Sequence, residues 1–139
     1  FLVVSNSAFD IYAQADNLAT SGDFTALNYE NIGINIRTHT SGGSGAGAWG
    51  SAAQNPAVGG SGLDSAINDL GDISAGATKV FDGGRRTARF RGTLLEQAIS
   101  FSARYALSDV ADSGNADAYD FSMGTGTIGA DVTFTVYTP

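Results

Sequence analysis

Cysteine is absent from the 139 residues, which excludes a disulfide framework and any thiolate metal site. Histidine is nearly so: His39, flanked by Thr38 and Thr40, is the single one, and no nucleophile elbow stands near it to make a triad. An exposed loop residue accounts for it. No apolar run approaches the roughly 20 residues of a membrane-spanning helix. Positive charge is scarce, with 7 Lys and Arg against 14 Asp and Glu, for a net charge of -7. That balance speaks against nucleic acid as a partner, because phosphate attraction needs a basic surface. The chain opens on Phe1 and not Met. It is therefore expected to be processed or read from an internal point, and processing favours export.

What is abundant is glycine, 19 residues, together with runs that alternate apolar and polar side chains. Period-two alternation marks a half-buried strand. From Ile128 to Pro139, Val132, Phe134 and Val136 alternate with Asp131, Thr133 and Thr135, and Pro139, lacking an N–H, closes the run. A second run, Ile99, Phe101, Ala103, Tyr105 and Leu107, mirrors it. Phe1, Val3, Phe9, Ile11 and Ala13 share one parity near the start, with a kink or bulge expected at Ser5-Asn6-Ser7, whose side chains compete for the backbone. The inward residues expected from these runs are Phe9, Ile11, Ile99, Phe101, Val132, Phe134 and Val136.

Between them the pattern predicts a turn over Asp16 to Asp23, strands over Phe24 to Tyr29 and Ile32 to Arg37, and a short helix from Leu63 to Leu70. Ala77 to Phe81 and Ala88 to Arg91 flank Asp82-Gly83-Gly84 as a hairpin. About eight or nine strands joined by turns predict an all-β sandwich or barrel, folded as one domain over residues 1–139. One long Gly- and Ser-rich loop, about 38–62, interrupts it and carries Trp49, which either plugs the domain's own core or contacts a sugar ring or a neighbouring subunit.

Chemistry is thinly represented. The stretch from Asp109 to Asp120 gathers Asp112, Asn115 and Asp117 but lacks the EF-hand spacing, and a solvated acidic turn accounts for it. Gly42-Gly43-Ser44-Gly45 lacks the Lys-Ser/Thr of a P-loop. The scattered carboxylates single out no catalytic pair. The expectation is no catalysis, no cofactor and no metal. Lys79, Arg85, Arg86, Arg89 and Arg91 place five of the seven basic residues within thirteen positions, either as a solvated strand face or as a patch meeting the acidic face of another copy.

Three stretches resemble a known family. Val3-Val4-Ser5-Asn6-Ser7-Ala8-Phe9-Asp10-Ile11, then Leu27-Asn28-Tyr29, and the ending Gly129-Ala130-Asp131-Val132-Thr133-Phe134-Thr135-Val136-Tyr137, together resemble bacterial fimbrial subunits of the chaperone-usher and spore-coat-U-like type. The resemblance covers about a third of the chain. It implies an immunoglobulin-like Greek-key sandwich completed by a strand donated from the next subunit, in a cell-surface pilus, outside the cell. On that reading Phe1, Val3, Arg85, Arg86, Arg89 and Arg91 make the subunit contact, and the partner is another copy, with a host or surface glycan besides and neither nucleic acid nor a membrane span. The chain departs from the pattern in having no cysteine and no polar-flanked donor before Phe1, so either Phe1 to Ala13 is the donor or an earlier strand is missing. Two other readings share the architecture. One is a carbohydrate-binding jelly roll with Trp49, Tyr12 or Tyr119 stacking on sugars. The other is a viral or phage capsid, fibre or decoration protein.

Overall fold

The computed structural model describes residues 1–40, 60–84, 99–107, 122 and 124–139. Its strands are β1 (Leu2–Val3), β2 (Phe9–Gly22), β3 (Ile32–Thr40), β4 (Gly62–Leu63), β5 (Thr78–Gly83), β6 (Ile99–Leu107) and β7 (Gly126–Tyr137). No α-helix occurs among the described residues, only 3-10 turns at Tyr29–Asn31 and Gly71–Ile73. The strands form two antiparallel sheets, β1-β6-β3 and β4-β5-β2-β7, so the protein is all-β.

β2 is the spine of the larger sheet. Phe9, Ile11, Ala13 and Ala15 are buried on one face, while Asp10, Tyr12, Gln14 and Asp16 face outward. Its alternation continues past the turn expected at Asp16. Between Asp16 and Ala19 the register with β7 slips by one residue, with Asn17 in the left-handed region at φ 54°, and the strand then runs on to Gly22. A β-bulge takes up the extra residue, so the turn-forming side chains bend the strand without ending it. The reversal comes later. Gly22 stands at φ 63°, and a Cβ there would lie 2.6 Å from the Thr125 carbonyl oxygen, so only glycine brings β2 this close to the start of β7.

Phe24 to Tyr29 is not a strand. Phe24 and Leu27 donate their N–H groups to Ser21 and Phe24 carbonyls, and Asn28 and Asn31 cap the following 3-10 turn reciprocally. Nor does Leu63 to Leu70 form a helix. The Asp64 carboxylate accepts from Ala66 N–H, and the main chain at Asn68 and Leu70 bonds instead to β3 at Ile34 and Ile32. Side-chain capture of backbone N–H groups outcompeted the helix. Leu70 and Ile73, both fully buried, become core residues by this route. β5 pairs with β2 and β4. Its expected hairpin partner, Ala88 to Arg91, lies outside the described residues, as do Arg85, Arg86 and Arg89.

Inner faces of both sheets meet in one cluster that includes Phe9, Ile11, Ile34, Leu70, Ile73, Phe81, Ile99 and Phe101. Phe81 and Phe101 touch across the sheets with centroids 5.1 Å apart, edge to face, and Phe9 stacks on Phe81 at 5.6 Å. Burying aromatic rings of this size supplies most of what a small core can offer. Val132 and Phe134 are half-buried against the cluster. Val136 is a correction: it keeps the inward parity opposite Ile11 but is 42% exposed. β7 is an edge strand with β2 as its one lateral neighbour among the described residues, and the last aromatic cover, Phe1, ends at Phe134. Val3 is a second correction. At 7% exposure it belongs to this chain's own core and not to its surface.

Candidate functional site

Strand β1 covers only the beginning of β6. Leu2 and Val3 pair with Ser100 and Ile99, and Phe1 extends the contact by exchanging hydrogen bonds with Phe101, its ammonium donating to the Phe101 carbonyl at 2.9 Å and its carbonyl accepting from Phe101 N–H at 2.9 Å. Beyond Phe101, from Ser102 to Leu107, β6 has β3 on one side and no strand among the described residues on the other. Across the sandwich, the outer edge of β7 is likewise unpaired among the described residues. Two open edges therefore flank one seam.

A groove of about 580 Å³ opens in that seam. Tyr105, Ala106 and Leu107 of β6 line one wall and Ile128, Gly129, Ala130 and Val132 of β7 the other, with Ile32 and Leu70 also in contact. The lining is apolar apart from backbone and the Tyr105 hydroxyl. Tyr105 is 47% exposed, yet partial burial still holds its phenol above the usual tyrosine range. The small Gly129 and Ala130 leave the width. An exposed apolar groove beside unpaired strand edges is what strand addition requires: the backbone edge gives hydrogen bonds and the groove takes alternate side chains.

Phe1 sits at one end of the seam. Its ring stacks on Phe101 at 5.3 Å and meets Phe134 at 5.2 Å, and half of its surface remains exposed, alongside exposed Leu2 and Val4. Asp10 to Ala13, by contrast, pair with β5 on one side and β7 on the other within this chain. That segment is not free to act as a donor in this arrangement.

A second group of side chains occupies the outer face of the larger sheet. Lys79 Nζ meets Asp10 Oδ2 at 2.8 Å and lies 5.9 Å from the centre of the Tyr12 ring. That hydrogen bond raises the lysine above its usual value. Asp82 accepts from Ser61 Oγ at 3.1 Å, and bonds from the Ser61 side chain and backbone lower its carboxyl. Tyr12 packs edge to face on Tyr137 at 5.2 Å. No group of three metal-ligating side chains occurs among the described residues. Nor is any helix there long and apolar enough to cross a membrane.

Neither a family model, nor a curated protein, nor a solved structure matches this chain.

Of the residues singled out from the sequence, Phe1 and Phe134 meet at the seam and Tyr12 stands on the outer face. Trp49, Tyr119 and the Asp109 to Asp120 stretch lie outside the described residues, and of the His39 side chain nothing is described. The groove itself was not foreseen. Its signal was the parity that puts Tyr105 and Leu107 on the same face as Phe101, facing a strand that carries Gly129 and Ala130.

Proposed function

We propose that this protein is a structural, non-catalytic subunit of an extracellular cell-surface filament, a pilus or fimbria, in which a strand donated by the next copy completes an immunoglobulin-like Greek-key sandwich. One observation carries the reading: the apolar groove lies where β1 would continue along β6, between edges of β6 and β7 that no strand among the described residues pairs. A donated strand laid antiparallel to β6 from Leu107 to Ser102 would pair the open edge and bury Tyr105, Leu107, Ile128 and Val132. Backbone bonds give such a contact its strength and the groove gives it its register. The sequence resemblance to fimbrial subunits points the same way. So does the short β1, of which only Leu2 and Val3 pair as strand residues with β6.

Electron microscopy of native material, beside size-exclusion chromatography of the purified chain, tests this reading. Filaments with a regular axial repeat are expected. A monomer at every concentration refutes the reading, and closed shells would assign the chain to a capsid.

A further inference from the structure

Among the described residues, the two outer faces of the sandwich differ in charge. On the β1-β6-β3 sheet the outward positions of β6 and β3 include Arg104 and Arg37; the register sets Arg104 opposite Asn35, whose side chain accepts from Arg37 Nε at 3.0 Å. At the β3 end of that face the buried Asp69 is bridged to Gly33; both arginines are exposed, and neither takes part in an ion pair among the described residues. Ser100, Ser102 and Ala106 share it, with exposed Leu2 in register with Ser100 at the β1 edge. The outer face of β5-β2-β7 is the reverse. Among the described residues it carries Asp10, Asp16, Asp82 and Asp131 against Lys79, with the Tyr12–Tyr137 pair on the same face.

Within that face the register places Asp16 directly opposite Asp131. Like charges so placed repel. Their described partners are neutral: Gln14 Nε2 donates to Asp16 at 3.2 Å and Asn17 Nδ2 to Asp131 at 2.8 Å. Adjacent carboxylates suit a guanidinium, which donates through several N–H groups in one plane and also stacks on tyrosine. These acceptors lie on one outer face and the guanidinium groups of Arg37 and Arg104 on the other.

We propose that this pair of faces is a contact between copies: the arginine face of one copy, Arg37 and Arg104, docks on the aspartate face of the next, Asp16 and Asp131 with Tyr12 and Tyr137. The two surfaces are different, so the contact is heterologous and joins copies head to tail. It rests on the filament reading and adds to it a lateral contact distinct from the donated strand.

Two charge-reversed proteins test the contact. Arg37→Glu with Arg104→Glu makes both faces acidic; Asp16→Lys with Asp131→Lys makes both basic. All four positions are exposed, and circular dichroism checks that each variant is folded. Self-association is followed by sedimentation velocity at about 20 mM and about 500 mM sodium chloride, which bracket the screening range. Wild-type self-association is expected to weaken on the order of tenfold at the higher salt, since each exposed pair accounts for a few-fold. Each variant alone is expected to lose the salt-sensitive part of that association at low salt, and an equimolar mixture to regain it by alternating the two. Wild-type-like association of either variant, or a mixture that stays unassociated, overturns the proposal. Lateral association that persists in both variants and at high salt overturns the face contact, and filaments that persist without it leave the filament reading standing, whereas a wild-type chain that never self-associates overturns both.

Discussion

At the scale of single residues, close backbone approach and paired charges set the sharpest constraints. A Cβ on Gly83 would collide with the carbonyl oxygen of Phe9 and press to 3.0 Å on the Phe81 ring, at the point where β5 and β2 cross over the core. Neither neighbour is the free end of a flexible chain. Gly83→Ala is therefore expected to lower unfolding free energy by about 1–3 kcal/mol in urea titration, and an unchanged midpoint would mean that the strands separate there freely. Asp82 and Lys79 give opposite pH signs. Bonds from Ser61 hold Asp82 below its ordinary value, so its contribution is present above the unfolded carboxyl pKa and is lost as pH falls through the folded one. The hydrogen bond to Asp10 holds Lys79 above its ordinary value, so its contribution disappears at the alkaline end, as pH rises through the folded pKa. Ser61→Ala should lower stability near neutral pH and match wild type once Asp82 is protonated in both. A difference that persists in strong acid would assign the effect of Ser61 to something other than Asp82.

At the scale of elements, β7 shows how alternation and burial come apart. Phe134 and Val136 have the same parity, but Phe134 is covered by Phe1 and packs on the core, whereas Val136 stands past that cover. Phe134→Asp should cost about 2–4 kcal/mol through lost ring contacts and a half-buried charge, while Val136→Asp should stay within about 0.5 kcal/mol in the isolated chain. Equal losses in thermal unfolding would place Val136 inside after all. The same distinction explains what could be read in advance. Alternation in β2, β6 and β7 was legible because Phe9, Ile11, Ile99, Phe101, Val132 and Phe134 face one core at period two. The course of β2 beyond Asp16 was not, because Asn17 looks like a turn residue until β7 is there to hold the bulge. Helical spacing at Leu63, Ile67 and Leu70 misled for a related reason: Leu70 is buried by its bonds to β3, a partner about 38 positions earlier that no local pattern can name. The groove followed the same rule. Its wall residues were visible by parity, but its opening depends on which strand edges find no neighbour.

At the scale of the whole molecule, the sandwich holds a closed core beside a seam left open by the described strands, and that seam makes a prediction about assembly. Ala130 lies half-buried on the groove wall, where the space left by its small side chain is what a donated strand would use. An arginine there can lay its stem along Ile128 and Val132 and keep its charge in water, so Ala130→Arg should change the stability of the isolated chain by no more than about 1 kcal/mol. It should nevertheless abolish filaments, because a filled groove cannot accept alternate side chains. Tyr105 reports the same event by a second route. Partial burial already raises its phenol, and a strand laid over it removes more water from the charged form, so its ionisation in assembled wild type should move to still higher pH than in the Ala130→Arg monomer. Because the native form then retains a proton that the unfolded chain releases, stability falls as pH rises through this range, and filaments should dissociate there before the core unfolds. Ultraviolet titration of tyrosine alongside electron microscopy separates the cases. Filaments formed by Ala130→Arg with normal Tyr105 titration would move the donated strand out of this groove, whereas loss of filaments together with a lower Tyr105 transition would locate it between β6 and β7.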